Sequence, residues 1–424
     1  MIQRSPSRYG VPSTIRLAVV LLVACRLSLV APVEAAQVEH QDGVPVVYLS
    51  GTPYELGRQH GEALREEIRA SMAQVLGYFR WYLRIPWVRS WLVNWWLDSA
   101  WKQETPFVPP DDLEELRGLA EGSGVPVREL YRLHAIPDRT YACSSFAVWG
   151  RATADRRLIH VRNLDWNMQA GIQRFATVFV VRPTGKHAFV NVGWAGFIGV
   201  LTGINDAQLS VGQVGAETVD ATFRGEPMGF VMRRVLEEAG DLDAASSLVL
   251  SARRTVGVNY VFADAKARRA IIVETTRRHT RVFEANDLSE REVSYARPIA
   301  DAVFRADAAV DPVIRQRQIA SGGHPETPEL EPPTGSAYEI RYLGQAAGIL
   351  AHYGRIDAAA AKEIARAVAP PSNVQSVVFA WPDLWVANAQ GTTPAARTSY
   401  HHLNAARLLQ PSTRSLSLLT RPES

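Results

Sequence analysis

Cys143 opens a stretch whose residue types could activate a thiol. Two β-prone runs follow it, at 144–149 (SSFAVW) and 158–166 (LIHVRNLDW), and a polar connection suited to a turn joins them. In an antiparallel pair, the end of the second run returns beside the start of the first. We therefore expect Arg162 and Asp165 to lie near Cys143, where a guanidinium lowers a thiol pKa from about 8.5 toward neutrality.

The same residues have a plainer interpretation. A small buried cysteine can begin a core strand, because free Cys is among the most buried residue types. Arg162 and Asp165, three residues apart, would then form a surface ion pair. From spacing alone, the nucleophile and the core cysteine are both open interpretations.

The amino-acid sequence of this stretch resembles that of a known nucleophile hairpin. The letters CSSFAVWG and LIHVRNLDW are similar to those of the cysteine-type N-terminal nucleophile (Ntn) hydrolases, and most similar to the acyl-CoA:6-aminopenicillanic acid acyltransferase-like and choloylglycine hydrolase-like families. The resemblance implies an α+β fold, a four-layer αββα sandwich with an N-terminal helical segment. It also implies self-cleavage between Ala142 and Cys143, after which the freed α-amine of Cys143 acts as base for its own thiol. The chain departs from the family's sequence motif at Val161, where a Gly usually precedes the Arg-Asn pair.

The resemblance assigns roles to further residues. Arg162 would favour the thiolate and Asp165 would orient the α-amine, while the Asn286 amide and the backbone around Gly215 would hold the oxyanion. The segment GWAGFIGVLTGIND resembles a family segment that lines an acyl pocket. The remaining expected site residues are Trp194 and Asn205 in that pocket and Arg315 as a brace of the active site.

The implied reaction is acyl transfer through a thioester on Cys143. The acyl group would come from a linear, non-peptide amide of an N-acyl compound and would pass to water or to an amine. One alternative keeps the same site for an ester such as a phospholipid, as in phospholipase B-like proteins. A second alternative is a non-catalytic lipoprotein that uses an Ntn scaffold for binding or assembly.

The N-terminus predicts an exported protein. Basic residues precede the apolar run 17–24, which is too short to span a bilayer and indicates a signal peptide. This signal peptide covers 1–36, with small residues before Ala36 as the cleavage site. The alternative is a lipoprotein signal that ends before Cys25, whose letters LVAC resemble a lipobox. We expect a periplasmic or secreted protein, with membrane association through a lipidated Cys25 as the alternative.

The remaining chain is expected to divide into three parts. Residues 37–142 form an N-terminal helical segment, which would be a pro-segment or the smaller chain after cleavage. Residues 143–405 form the Ntn-hydrolase domain, and 406–424 a flexible tail.

Aromatic residues mark the helical segment. Trp87, Trp91 and Trp95 follow one another at i,i+4 spacing, and we expect this stripe to pack on the core. The alternative is a flap or membrane-facing surface over an acyl-chain pocket. His60, on an earlier predicted helix, is expected to be structural.

Composition and motifs argue against other classes of protein. The formal net charge is only +3 over 424 residues, and no block of like charge indicates a nucleic-acid partner. The sequence contains no P-loop, dinucleotide glycine motif, HExxH or CxxC, so we predict neither a cofactor nor a metal site. We expect no intramolecular disulfide, because Cys25 would be lost or acylated.

Overall fold

The protein was analysed as a computed structural model, which describes residues 35–82, 89–136, 142–321 and 337–410. Backbone contacts divide the chain into two units, Met1–Ala35 and Ala36–Ser424. All the elements named below belong to the second unit. The predicted signal peptide up to residue 34, with Cys25, lies outside the described residues.

Fifteen strands occur in the described residues. They are β1 (Gln37–Gln41), β2 (Val44–Gly51), β3 (Ala142–Val148), β4 (Ile159–Asp165), β5 (Ala176–Pro183), β6 (Phe189–Trp194), β7 (Thr202–Asn205), β8 (Leu209–Gly215), β9 (Val258–Asp264), β10 (Arg269–Thr275), β11 (Thr280–Phe283), β12 (Ala302–Arg305), β13 (Asn373–Ala380), β14 (Asp383–Asn388) and β15 (His401–Asn404).

The strands form two sheets. The larger has the order β1-β2-β5-β6-β7-β8-β9-β10-β11 and the smaller β12-β3-β4-β13-β14-β15. Strands β2 and β5 run parallel, whereas the other neighbours are antiparallel. Every residue of β4, β6, β9 and β13 is buried. These central strands therefore have neighbours on both faces.

Eleven α-helices lie among the described residues. They are α1 (Pro53–Ala63), α2 (Arg65–Tyr82), α3 (Arg89–Glu104), α4 (Pro110–Ser123), α5 (Val127–His134), α6 (Met228–Glu238), α7 (Leu242–Ser251), α8 (Pro312–Ser321), α9 (Ala337–His352), α10 (Ala358–Val368) and α11 (Ala405–Leu409). Side-chain hydrogen bonds cap the N-termini of several of these helices. Glu55 accepts the backbone N–H of Thr52 at α1, and Asp357 accepts that of Ala360 at α10.

The layers stack as helix, sheet, sheet, helix. Strands β3, β4 and β12 of the smaller sheet contact β8, β9 and β10 of the larger. Helices α6 and α7 pack on β7 to β10, and α9 and α10 pack on β3, β4, β12 and β13. The predicted four-layer αββα sandwich of the α+β class is confirmed.

The predicted N-terminal segment shares a sheet with the predicted Ntn domain. Strand β2 pairs with β5, so residues on both sides of Cys143 build the larger sheet. Helix α1 packs on β2 and β5, and α4 packs on α1. Among the described residues, no helix combines the length and apolar character needed to cross a bilayer.

Glycines allow α1 and α4 to approach closely. A Cβ on Gly118 of α4 would lie 2.1 Å from the Tyr54 carbonyl oxygen, and one on Gly57 of α1 would lie 1.9 Å from that of Glu115. Backbone atoms at these distances cannot yield as a flexible side chain would. The close contact between the two helices therefore requires glycine, which has no side chain, at positions 57 and 118.

We expect Gly118→Ala to destabilise the fold by about 1–3 kcal/mol, since it forces α1 and α4 apart. Urea unfolding measures the change. Gly77→Ala in α2 is the matched control, because a Cβ there meets nothing within 4 Å and alanine has the better helix propensity. Equal stability of the two variants would contradict this account of the helix contact.

The tryptophan stripe does not pack as predicted. Trp91 and Trp95 are 67% and 59% exposed, while Trp87 lies outside the described residues. Helix α3 instead buries the neighbouring face that carries Val93, Leu97, Ala100 and Trp101. That face is offset from the stripe, so the core-packing prediction is wrong for Trp91 and Trp95.

The predicted flexible tail begins as ordered structure. Residues His401–Asn404 form β15 against β14, and Ala405–Leu409 form α11. The Asn404 side chain accepts the backbone N–H of Arg407, and Leu408 is buried. The tail prediction is wrong up to residue 410, because this helix covers apolar side chains of the larger sheet.

Candidate active site

The β3–β4 hairpin brings the predicted residues together. Cys143, near the start of β3, is paired with Leu164, and Arg162 is paired with Ser145. The Arg162 guanidinium lies with Nη2 3.3 Å from the Cys143 sulfur. Arg162 and Cys143 are both fully buried, so this contact is shielded from water. Spacing within one hairpin was enough to predict this pair.

The larger sheet adds a second donor to the sulfur. Gln213 of β8 lies with Nε2 3.7 Å from Sγ. Arg162 is fixed to the same region, since its Nε donates to the Gln213 carbonyl oxygen at 3.3 Å and its Nη1 donates to Thr202 Oγ1 at 2.9 Å. The nucleophile candidate therefore sits between the two sheets.

The thiol is protonated in the uncut chain. Burial raises the pKa of Cys143 to about 11, and the negative charges of Asp307 and Asp165 act in the same direction. Arg162 lowers this pKa but does not offset burial. The predicted shift of the thiol pKa toward neutrality is therefore wrong for the continuous chain, because sequence spacing does not reveal how deeply a thiol is buried.

Two carboxylates and one guanidinium surround the backbone nitrogen of Cys143. That nitrogen donates to Asp307 Oδ1 at 2.6 Å. Arg341 donates to Asp307 Oδ2 and to Asp165 Oδ2, and so bridges the two acids. Asn373 Nδ2 donates to Asp165 Oδ1 at 3.0 Å.

This arrangement corrects the predicted role of Asp165. In the uncut chain the group that receives the Cys143 N–H is Asp307, not Asp165. Asp165 is instead held by Arg341 and Asn373. Burial raises the pKa of Asp165 to about 6 and that of Asp307 to about 7, although Arg341 opposes both shifts.

An apolar cavity lies beside the hairpin. It has a volume of about 30 Å³ and is lined by Leu133, Ile136, Leu164, Trp166, Ile172, Trp194 and Phe197. Leu164 is the partner of Cys143 in the hairpin, so the cavity adjoins the candidate nucleophile. Its volume holds about one water molecule, so an acyl chain would have to displace lining side chains. Trp194, predicted as a pocket residue, forms part of its wall.

Two buried histidines fix the loop that follows Trp194. His60 Nε2 accepts the N–H of Gly196 at 3.1 Å, and His134 Nε2 accepts that of Ile198 at 3.0 Å. Burial lowers the pKa of His60 to about 3 and that of His134 to about 4, so both rings are neutral acceptors. The expected structural role of His60 is confirmed.

Two predicted residues lie elsewhere. Asn205 uses its amide within the scaffold: Nδ2 donates to the Leu236 and Ala239 carbonyls, and Oδ1 accepts the Leu209 N–H. It ties α6 to the β7–β8 turn, so the pocket prediction is wrong. Asn286 is exposed, with φ +58°, in the turn after edge strand β11.

The oxyanion prediction for Asn286 is therefore also wrong. In the larger sheet, β11 is three strands away from β8, which carries Gln213, or about 14 Å at the usual strand spacing. A left-handed turn is a common place for an asparagine with no catalytic role. Gly215 ends β8, two residues beyond Gln213, and its predicted backbone role stays a prediction.

Arg315 is buried in α8. Its guanidinium carbon lies 5.1 Å from the centroid of the Tyr295 ring, and its role as a brace stays a prediction. The guanidinium that bridges the site carboxylates belongs to Arg341. Within the described ranges, no group of three or more His, Cys, Asp or Glu side chains is arranged to hold a metal ion.

Three further residues of the site were not predicted from the sequence: Gln213, Asp307 and Arg341. Gln213 had a weak signal, because it is a polar residue inside the β-prone run 208–214 (QLSVGQV). Asp307 follows β12, and Arg341 lies in α9, far along the chain from Cys143. Nothing in the spacing of those two residues indicated the site.

A known family matches the chain around this hairpin. The acyl-coenzyme A:6-aminopenicillanic acid acyl-transferase family matches residues 152–294, a segment that starts after Cys143 and includes Arg162 and Asp165. Together with the αββα fold, this match confirms the resemblance to the cysteine-type Ntn hydrolases.

Several individual proteins are also similar. Protein dcd1B of Dictyostelium discoideum is 26% identical over 260 residues, which cover 57% of this chain and 52% of that protein. The N-acylethanolamine-hydrolyzing acid amidase of Oryctolagus cuniculus is 22% identical over 220 residues, 50% of this chain and 58% of that protein. The chain thus spans about half the length of these curated relatives. Among solved structures, a Caenorhabditis elegans N-acylethanolamine-hydrolyzing acid amidase ortholog has a TM-score of 0.41 at 16% identity, covering 56% of this chain and 92% of that one.

Proposed function

We propose that this protein is an exported, self-cleaving amidohydrolase or acyltransferase with Cys143 as its N-terminal nucleophile. Its substrates would be linear, non-peptide amides of N-acyl compounds. The observation that carries the proposal is the pair of contacts made by Cys143, whose sulfur faces Arg162 and whose nitrogen faces Asp307. The family match over 152–294 and the names of the amidase relatives support the same reaction class.

Self-cleavage would be the first reaction. The Cys143 sulfur attacks the carbonyl carbon of Ala142, a C–S bond forms, and the C–N bond between the two residues breaks. The departing nitrogen takes up a proton and becomes the α-amine of Cys143, next to Asp307. Water then hydrolyses the thioester and releases residue 142 as a new C-terminus.

Acyl transfer would follow in the cut protein. The free α-amine, with a reference pKa of about 7.7–8.0, takes the thiol proton near neutral pH. Asp307 is placed to hold the resulting ammonium, and Arg162 to hold the thiolate. The thiolate attacks the acyl carbonyl, the ammonium protonates the leaving amine, and water or a second amine resolves the thioester.

Asn259 is our candidate for the oxyanion amide in place of Asn286. It is fully buried on β9 opposite Val214, next to the strand that carries Gln213. Its Nδ2 donates to the carbonyl of Ala306, the residue before Asp307, at 3.2 Å. A preorganised amide donor of this kind is worth about 2.7–4 kcal/mol in the transition state.

Export remains part of the proposal. It rests on the basic residues before the apolar run 17–24 and on the two candidate processing sites at Ala36 and Cys25. A protein that is not exported would keep this N-terminal segment. The N-terminal sequence of the purified protein therefore tests export. A start at residue 25 with a lipid adduct would indicate anchoring.

An ester substrate is the second candidate. The exposed side chains of Trp91, Trp95 and Trp96 form an aromatic surface on α3, and tryptophan suits a lipid–water interface. A lysophospholipid presented at such an interface would use the same thiolate. A non-catalytic scaffold is the third outcome, and it predicts an uncut chain.

Intact mass is the first test of the proposal. We expect two fragments of unequal length, the larger starting at Cys143, because the sulfur and the peptide nitrogen are already held in the uncut site. Purified protein would then be assayed on N-acyl amino acids, penicillin V, bile conjugates and lysophospholipids, with release of the free acid as the readout. An intact chain that releases no acid from any of them would refute both enzymatic candidates. Acid released from lysophospholipid alone would favour the ester.

A further inference from the structure

Gln213 presents an unused hydrogen-bond acceptor beside the nucleophile. Its side chain is fully buried, and its Nε2 lies 3.7 Å from the Cys143 sulfur. The other end of the amide, Oε1, is buried with no hydrogen-bond partner among the described residues. An unpaired buried acceptor costs about 1–3 kcal/mol, and this one belongs to the amide that contacts the Cys143 sulfur, where a substrate group can pair with it.

The backbone holds this amide in place. Gln213 is paired with Tyr260 inside the larger sheet, and its carbonyl oxygen accepts from Arg162 Nε. The preceding residue is Gly212, where a Cβ would lie 3.0 Å from Arg162 Cγ. The Arg162 stem therefore packs closely against the strand that carries Gln213. Oε1 and Nε2 share one carbon, so Oε1 lies in the same part of the site as the sulfur.

We propose that Gln213 Oε1 accepts the N–H of the scissile amide, and so makes the site selective for secondary amides over esters. The inference rests on the proposed function and names its substrate class. Nε2 stays toward the sulfur, while Oε1 holds the leaving nitrogen as the C–N bond breaks and the C–S bond of the thioester forms. The proton that the nitrogen needs comes from the α-ammonium of Cys143.

In an ester, an oxygen without a hydrogen replaces the amide N–H and cannot donate to Gln213 Oε1. Oε1 would then remain unpaired and would face a lone pair. A site built to pair with an N–H discriminates strongly against an analogue that lacks it, because its own polar atom loses its partner. A single hydrogen bond of this kind corresponds to about a 10- to 100-fold preference in kcat/KM.

The experiment compares substrates that share one acyl group. An N-acylglycine, the N-acylsarcosine and the O-acylglycolate carry N–H, N–CH3 and O at the same position. On the wild-type protein we expect the acylglycine to have a kcat/KM about ten-fold or more above that of the acylsarcosine, whose nitrogen carries no hydrogen. The acylglycolate is intrinsically more reactive, so it serves as the reference for the variants. The amide comparison needs no variant, so it cannot be lost to misfolding, and equal kcat/KM for the acylglycine and the acylsarcosine would overturn the inference.

Variants locate the effect at Gln213. Gln213→Met removes both the acceptor and the Nε2 donor to the sulfur at similar volume, so we expect kcat/KM to fall for both substrates, and to fall about 10- to 100-fold further for the acylglycine than for the acylglycolate. Gln375→Met is the matched control, because Gln375 is equally buried and also has an unpaired Oε1, but its Nε2 donates to the Val192 carbonyl. It should leave the amide-to-ester ratio unchanged.

The outcomes distinguish failure of the proposed function from failure of the inference about Gln213. A wild-type chain that stays uncut and cleaves none of the three substrates overturns the proposed function, and the inference with it. A cut, active protein in which Gln213→Met slows amide and ester equally overturns the inference alone. That result would mean that Gln213 acts on the sulfur and not on the leaving group.

Discussion

Replacing Cys143 with alanine is expected to leave the chain in one piece and to lower turnover by about 10⁴-fold or more. Both reactions need the same sulfur, first against the Ala142 carbonyl and then against the substrate. The neighbouring donors, Arg162 and Gln213, contact that sulfur and have no thiolate to stabilise once it is gone. Intact mass and acid release from an N-acyl amino acid measure the two losses.

Cys143→Ser is the informative companion variant. It keeps a nucleophilic atom at the same position, but a hydroxyl is far harder to deprotonate than a thiol. We expect slow cleavage over hours and turnover between the alanine variant and wild type. Both variants should unfold at a urea concentration near that of the uncut precursor, because each changes one small buried side chain. Wild-type turnover by uncut Cys143→Ala would disprove the proposed mechanism.

The local part of the site could be predicted from the sequence. Cys143 and Arg162 belong to one hairpin, and antiparallel pairing converts their spacing into proximity. The family resemblance of this hairpin was also enough to predict the αββα layers. Both predictions rest on residues that are close together along the chain.

The long-range part could not be predicted in this way. Asp307 is 164 residues from Cys143, and Arg341 is 34 residues beyond Asp307. They meet only because β12 pairs with β3 and α9 packs over both strands. The exposed position of Asn286 has the same cause, since its strand is at the edge of the larger sheet.

The direction of the thiol pKa shift shows a second limit of sequence spacing. Spacing identified Arg162, which does lower the pKa of Cys143, but burial outweighs it in the uncut chain. Burial depends on how two sheets close over one atom. In the proposed mechanism, cleavage would change this balance, because it would create an amine beside the sulfur.

Arg341 is expected to have the largest effect on stability among the site residues. Its guanidinium bridges Asp165 and Asp307, whose side chains are 0% and 2% exposed. Removing one partner of a buried ion pair costs about 3–5 kcal/mol, because the remaining charge is buried without compensation. We therefore expect Arg341→Met to lower the free energy of unfolding by about this amount at pH 8, measured with urea in the uncut Cys143→Ala background.

The loss should shrink as the pH falls. The folded protein raises the pKa of Asp165 to about 6 and that of Asp307 to about 7, from ordinary values of 3.8, so the native state binds protons more tightly than the unfolded state. Stability contributed by these acids is therefore greatest below pH 4 and falls as the pH rises through 6 and 7. Without Arg341 both pKa values rise further, and at pH 5 both acids are protonated and need no cation.

The comparison at pH 5 and pH 8 therefore separates charge from packing. Arg69→Met is the control, since Arg69 and Glu66 form an exposed pair whose loss should change stability by less than about 0.5 kcal/mol at either pH. An equal loss at both pH values for Arg341→Met would mean that Arg341 acts through its aliphatic stem alone. A loss confined to high pH would identify the guanidinium as the group that keeps two acids ionised beside the nitrogen of Cys143. Asp307 could then serve as the acceptor for the new α-ammonium.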